Sequence, residues 1–481
     1  MPILSFTPLL NKQGQTPIYI QIYQYIRSGI ENGTMAAGGR LPSIRQLAQH
    51  LSISKNTVES AYGQLLAEGY VESKERGGYA ILPIEKWTPI TPKSPGEAPA
   101  QGQNRRTATT ACNPPQQQIK IEFDFQYGEI ALDRFPHAIW KSCVIEALGS
   151  DPARILGYGD PYGMFELRKE LAEYVYQSRG VVCEPDQIFI AAGTQHAVAM
   201  LVQLLQLGKR PIAMEEPGYN GVKSVLRNMG CDLLPVSVEP DGISFEQLSE
   251  TAARLVYVTP SHQFPLGMVM PIQKRLRLLG WAMEQNGYIL EDDYDSEFRY
   301  NSAPIPALKA LDTAERVIYL GTLSKSFLPA ARLSYVILPS GLMSEVKEGL
   351  EVYSQAVSPM IQYAIWLFMK KGHFARHVRR MRRVYQTRHK ALTDAIRACF
   401  GSNASIVGDC SGMHLLLAIN GKRADELIAL AAQHGCKVYS PAKHWNNGIE
   451  SSGRYVMLGF GGMTEGQLEE GIKRLQIAWL Q

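Results

Sequence analysis

Over the first eighty residues, apolar positions recur first with the period of helices and then with that of short strands. Thr16-Pro17 reads as a cap and first helical residue, after which Tyr19, Ile22, Ile26 and Ile30 line one face until Gly33. Pro42-Ser43 announces a short helix with Ile44, Leu47 and Leu51 on one side. A turn at Ser52-Ile53 leads to a third helix, capped by Ser54, with Val58, Ala61, Tyr62 and Leu65 inward and Gly69 as its stop. YVESKERGGYAIL then reads as two strands of a hairpin around Gly77-Gly78. A helix, a tight helix–turn–helix pair and a hairpin make a winged helix, and the third helix is the one that enters a DNA major groove.

After residue 84 this periodicity stops. PIEKWTPITPKSPGEAPAQGQNRRTATTACNPPQQQ is rich in Pro, Thr, Gln and Ala, the composition of a linker. About 35 such residues span roughly 30–35 Å as a flexible coil. From about Ile119, apolar runs of strand length (QIFIAAG, RPIAMEE, RLVYVTP, GYILEDD, RVIYLGT, LSYVILP) alternate with helical stretches. That alternation predicts an α/β domain with a mostly parallel sheet. The chain is thus expected to divide at 1–84, 85–118 and 119–481.

Composition narrows the class. The chain has 481 residues, enough for at least two domains, and a net charge of only +4. Any nucleic-acid surface must therefore be local. The seven cysteines are scattered, without zinc spacing, which suits free thiols in a reducing cytoplasm and predicts no metal site. MPILSFTPLL lacks the basic start of a signal peptide, and no apolar run reaches membrane-spanning length. The expected protein is cytoplasmic, with no membrane partner.

The chemistry lies at the ends of the apolar runs, where open α/β sheets carry their ligands. In YLGTLSKSFLPAARLSY, Lys325 stands among apolar residues, a position that suits a neutral amine or one used in a Schiff base. Pyridoxal 5′-phosphate (PLP) is the common aldehyde partner, and it needs an acid for its ring nitrogen, donors for its phosphate, a stacking ring and a partner for its phenolic oxygen. Asp292 is the candidate acid, and Tyr294, two residues on, the candidate for the phenolic oxygen. Thr322, Ser324 and Arg332 offer phosphate donors. Gly193, Thr194 and Gln195 open a helix whose N–H groups suit an anion, and Tyr219 in EEPGY is the candidate stacking ring. Taken singly, each has a plainer reading as a cap, a surface residue or core. Joined in this order, they form one constellation.

Two resemblances follow from these strings. GGRLPSIRQLAQHLSISKNTVESAYGQLLAEGY with SKERGGYAI resembles the DNA-binding domain of GntR-family transcription regulators. Arg45, Lys55, Asn56 and Thr57 are then expected to contact DNA, with Arg76 and Gly77 in the wing. AAGTQHA, EEPGY, TPSHQFPLG, ILEDDYDSEFRY and GTLSKSFLPAARLSY resemble a fold-type I aminotransferase domain, and the whole chain resembles the MocR-type regulators that fuse the two. The resemblance implies a large PLP domain with a mostly parallel sheet, a smaller C-terminal α/β subdomain, and a site completed in a homodimer. It makes Arg454, in SGRYVMLGF, the residue for an effector's carboxylate. Tyr158 in GYGDPYG is expected either to reach the partner's site or to shape a turn.

Departures from the family pattern qualify the picture. HQFPLG carries Leu266 where aminotransferases often have Thr, and the asparagine beside the phenolic oxygen is missing, with His262 either its substitute or one layer behind. Gly221 replaces the arginine of the GABA-responsive member. The acid-free stretch KKGHFARHVRRMRRVYQTRHK reads as the solvated face of a long helix, with His373, His377 and His389 as surface groups; a second DNA contact is the alternative. The expected function is a transcription regulator that binds an operator and senses PLP or an amino compound through an aldimine at Lys325, rather than an enzyme. The alternative is an aminotransferase with an accessory DNA-binding domain.

Overall fold

Residues 16–74, 78–83, 120–300, 306–446 and 453–480 are described by the computed structural model. The chain falls into two units, Met1–Ala111 and Cys112–Gln481.

In the first unit, helices α1 (Ile18–Glu31), α2 (Ile44–Leu51) and α3 (Lys55–Ala67) precede strands β1 (Val71–Lys74) and β2 (Gly78–Ile81), paired antiparallel from Val71↔Ile81 to Lys74↔Gly78. Pro17 turns out to be the cap rather than the first helical residue, because its ψ of 144° is extended. The helix–turn–helix is defined locally by its caps. Ser43 and Gln46 form a reciprocal capping box on α2, Ser52 takes the left-handed turn with φ 52°, and Ser54 Oγ accepts from Thr57 N at 3.1 Å. The inward positions then meet: Ile22, Ile26, Leu47, Val58, Ala61, Tyr62 and Leu65 are fully buried, and Tyr62 donates to Pro42 O at 2.9 Å.

The second unit is built on an eight-stranded sheet. Following β3 (Phe123–Asp124), its strands in chain order are β4 (Ile188–Ala191), β5 (Pro211–Glu216), β6 (Asp232–Glu239), β7 (Gly242–Ile243), β8 (Leu255–Val258), β9 (Tyr288–Asp293), β10 (Val317–Thr322) and β11 (Ser334–Ile337). In space they run β4-β11-β10-β9-β8-β5-β6-β7. The six apolar runs are all strands of this sheet. β10, β9, β8, β5 and β6 pair in parallel, whereas β11 runs antiparallel to both β10 and β4. Strands β4, β8, β10 and β11 are buried on both faces, as expected for a sheet covered by helices.

The smaller subdomain carries the antiparallel sheet β12 (Ala404–Val407), β13 (His414–Ile419) and β15 (Tyr455–Gly459), with β14 (Cys436–Lys437) paired to β3. Helices His373–Phe400 and Glu465–Leu480 pack with it, placing Tyr385, Leu392, Leu475 and Trp479 in one core. The basic stretch falls mostly in the first of these helices, from His373 onward, and only part of it is solvated. His377 and His389 are buried, contrary to expectation, with His389 stacked on Tyr300 at 4.5 Å. Buried Arg388 reaches Asp133 at 3.0 Å. Among the described residues, no helix is long and apolar enough to cross a membrane, and no cluster of His, Cys, Asp and Glu could hold a metal.

Candidate cofactor site and nucleic-acid face

Because β4, β5, β8, β9 and β10 point the same way, the residues that end them gather at one edge of the sheet. There a cavity of about 220 Å³ is lined by Thr194, Gln195, Tyr219, Asp292, Tyr294, Thr322, Ser324, Lys325 and Arg332. All nine were singled out from sequence, and they come from five separate segments. Gly193 sits beneath them: its φ is +91°, and a Cβ there would overlap the Arg332 guanidinium. This close approach leaves the first N–H groups of helix Thr194–Leu204 and the Arg332 side chain at the same end of the cavity. Thr322 Oγ1 donates to Ser324 Oγ at 3.1 Å, tying the two hydroxyls together beside Lys325. Arg332 itself has φ 49°, a left-handed conformation that a non-glycine residue adopts only where its surroundings impose it.

The ILEDD segment shows how strand alternation separates three acids. Glu291 and Asp293 share one side of β9. Glu291 accepts from the N–H groups of Leu308 and Lys309, each at 2.8 Å, and Asp293 receives Arg179 Nε and the Tyr319 hydroxyl, each at 2.6 Å. Arg179 and these donors hold the Asp293 carboxyl below its ordinary range even though it is buried. Asp292 faces the cavity instead. It accepts from Tyr257 at 2.6 Å, while its Oδ1 is buried without a partner. Burial, aided by the charges of Asp293, Asp295 and Glu215, pushes it up to about 7. A carboxylate with one unsatisfied buried oxygen is suited to a cationic N–H donor such as a protonated pyridine.

Lys325 is half-buried, with Nζ 4.5 Å from the centroid of the Tyr127 ring and 3.3 Å from Gly128 O. Loss of solvation lowers it to about 8, against which the Asp295 and Glu129 charges act. An amine so placed is partly neutral near physiological pH and therefore nucleophilic. These features fit PLP: an amine for its aldehyde, an orphaned acid oxygen for its ring nitrogen, and a cluster of donors for its phosphate.

Sequence reasoning missed Tyr127, Tyr257, Thr259, Phe264 and Pro329, which complete the walls. Tyr257 and Thr259 had a signal, since they share a side at the end of β8. Tyr127 had none, because it follows a two-residue strand. His262 lies behind the cavity. Its Nδ1 is 2.9 Å from both Asp295 Oδ2 and the Tyr294 hydroxyl, and its carbonyl accepts from that hydroxyl at 2.8 Å. It orients Tyr294 without lining the cavity. Gly221 has no room for a side chain, because the Tyr219 ring folds over its Cα.

Arg454 does not join the cavity. It is exposed and lies over the Tyr455 ring at 4.7 Å. Tyr158 is 87% exposed. On the first unit, Arg45, Lys55 and Asn56 are exposed at the starts of α2 and α3. Thr57 is half-buried, its hydroxyl 2.7 Å from Ser54 Oγ, so it shares in the cap. Arg76, Gly77 and the linker lie outside the described residues.

Comparison with known proteins agrees in both units. Residues 134–475 match the family "Aminotransferase class I and II", and residues 18–81 match "Bacterial regulatory proteins, gntR family". The chain is 38% identical to the uncharacterized HTH-type transcriptional regulator YdeL of Bacillus subtilis (strain 168), over 99% of this chain and 100% of that one. It is 33% identical to the probable rhizopine catabolism regulatory protein MocR of Rhizobium meliloti, over 98% and 96%. Among solved structures, a multiple substrate aminotransferase from Thermococcus profundus aligns with a TM-score of 0.67 at 22% identity, covering 76% of this chain and 91% of that one. The second unit thus has the fold of the PLP-dependent aminotransferases.

Proposed function

The chain belongs to the MocR-type subfamily of GntR-family transcription regulators, and from that premise we propose that its aminotransferase-like domain is a PLP-based sensor anchored at Lys325. The observation that carries this reading is the pairing of Lys325, lowered to about 8, with the orphaned Asp292 oxygen in one cavity. When bound, PLP supplies an aldehyde that condenses with amines. Lys325 offers the resident amine, and Asp292 holds a proton at the ring nitrogen. Tyr294, positioned by His262, partners the phenolic oxygen by turning its hydroxyl proton away from the His262 carbonyl, and Tyr219 stacks on the ring. Thr194, Gln195, Thr322, Ser324 and Arg332 hold the phosphate.

An amino compound that displaces Lys325 gives the domain a second state with different contacts, and only such a difference can shift a conformational equilibrium. In this reading Arg454 engages the effector's carboxylate when the smaller subdomain adjusts. The output is operator binding by the winged helix, with Arg45, Lys55, Asn56 and Thr57 on DNA and Arg76 and Gly77 in the wing. A homodimer would place two such units on paired half-sites, where effective concentration offsets the weak charge of each.

The test is the visible absorption of the full-length protein mixed with PLP, followed through a screen of amines alongside operator binding. A band that Lys325→Ala removes, and that one amine shifts together with DNA affinity, supports the proposal. A band unchanged in Lys325→Ala overturns it. Steady transamination at about 1 per second or faster would favour the enzyme reading instead.

A further inference from the structure

A second cavity lies at the opposite edge of the sheet, where the parallel strands begin. This cavity, of about 340 Å³, is walled by Leu207, Ile212, Leu255, Ile318 and Leu342. Four of these, Ile212, Leu255, Ile318 and Leu342, are buried, so the floor is apolar and well packed. The size falls within the range of small-molecule sites. Its mouth is charged. Arg210 and Arg254 each precede a strand, β5 and β8, that are paired through Ile212↔Leu255, so the two guanidinium-bearing residues leave from adjacent strand starts. Neither has a carboxylate partner among the described residues. Arg316 adds a third positive group behind the lining ring of Tyr288, 5.5 Å from its centroid. Glu345 stands on the remaining side.

We propose that this cavity is a second ligand site, taking a small monocarboxylate with an apolar tail. The tail would cover the aliphatic floor, and the carboxylate would face Arg210 and Arg254, to which charge-assisted hydrogen bonds are open. Glu345 disfavours a second negative charge, so a dicarboxylate fits poorly. The floor is not isolated from the cofactor site. Ile212, Leu255 and Ile318 also border a small void that reaches Tyr257, the donor to Asp292.

The experiment is calorimetric titration of the full chain with 4-methylpentanoate, which has no amine and so cannot condense with PLP. Saturable binding is expected. It should weaken about tenfold or more in Arg210→Gln/Arg254→Gln and disappear in Ala252→Trp, which fills the mouth. It should persist in Arg454→Gln. Glu345→Gln should tighten binding two- to threefold, a gain that misfolding cannot imitate. Absence of saturable binding overturns the proposal. So does binding that the double arginine variant leaves unchanged, or that Arg454→Gln abolishes, since either puts the acid elsewhere.

Discussion

Tyr257 donates its hydroxyl to Asp292 Oδ2 at 2.6 Å from the neighbouring parallel strand, and leaves Oδ1 of the same carboxyl without a partner. One oxygen is thus committed to the protein and the other is available to a ligand. In the absence of that ligand, burial raises the carboxyl to about 7, so that it is half protonated near pH 7 and largely protonated well below it.

This has a consequence for stability. Asp292 is raised to about 7 in the folded chain, against about 4 when unfolded. Its contribution is fully present below pH 4 and is lost as pH rises to about 7, because only the unfolded state ionises in between. In cofactor-free protein, Asp292→Asn should therefore gain on wild type across this window, by at most about 4 kcal/mol, and the difference should level off above it. Thermal midpoints of both proteins at several pH values measure it. A constant difference from pH 4 to 8 would refute the assignment.

Lys325 predicts the opposite kind of profile. With the amine lowered to about 8, roughly a tenth is neutral at pH 7 and half at pH 8. The rate at which the visible band grows on adding PLP should rise about fivefold over that step. Stopped-flow absorbance gives the rate, and Lys325→Arg should show no band at any pH.

Gly193→Ala tests the phosphate end. A Cβ would collide with the Arg332 guanidinium, and φ of +91° is unfavourable for alanine. Apparent PLP affinity should fall at least tenfold while far-UV circular dichroism stays unchanged. Retained affinity would place the phosphate elsewhere.

Asp295→Asn should act through His262. The carboxylate orients the imidazole, which in turn holds the Tyr294 hydroxyl at 2.9 Å. The bound cofactor's absorption maximum should shift and its affinity drop several-fold, whereas Tyr294→Phe in the Asp295→Asn background should add little. Equal, additive losses would show that the two residues act independently.

In the winged helix, Lys55→Ala and Arg45→Ala should weaken operator binding and each reduce the salt slope by about 1, with the PLP spectrum intact. Ile26→Ala, by contrast, empties a fully buried position and should cost about 2–5 kcal/mol in that unit's unfolding, read by denaturant titration.

Much of this could be read directly from the chain. The caps at Ser43 and Ser54, the inward set from Val58 to Leu65, and the six apolar runs depend on neighbours a few residues away, so local periodicity reveals them. Short strands such as β3 and β14 carry too little pattern to be seen. The antiparallel β11 could not be told from a parallel strand, because direction leaves no mark on an apolar run.

The candidate site divides in the same way. Residue type and order were enough to pick out Lys325, Asp292, Tyr219, Tyr294 and Arg332, because PLP demands an amine, an acid, a ring and anion donors at strand ends. Only packing determined that Asp292 has one free oxygen, that His262 stands behind Tyr294, and that His377 and His389 are buried. Those properties come from contacts between segments far apart in sequence, where burial and the choice of partner depend on how helices and strands meet. The apolar cavity beneath Arg210 and Arg254 is the clearest case: its floor belongs to strands that are neighbours only in the folded sheet.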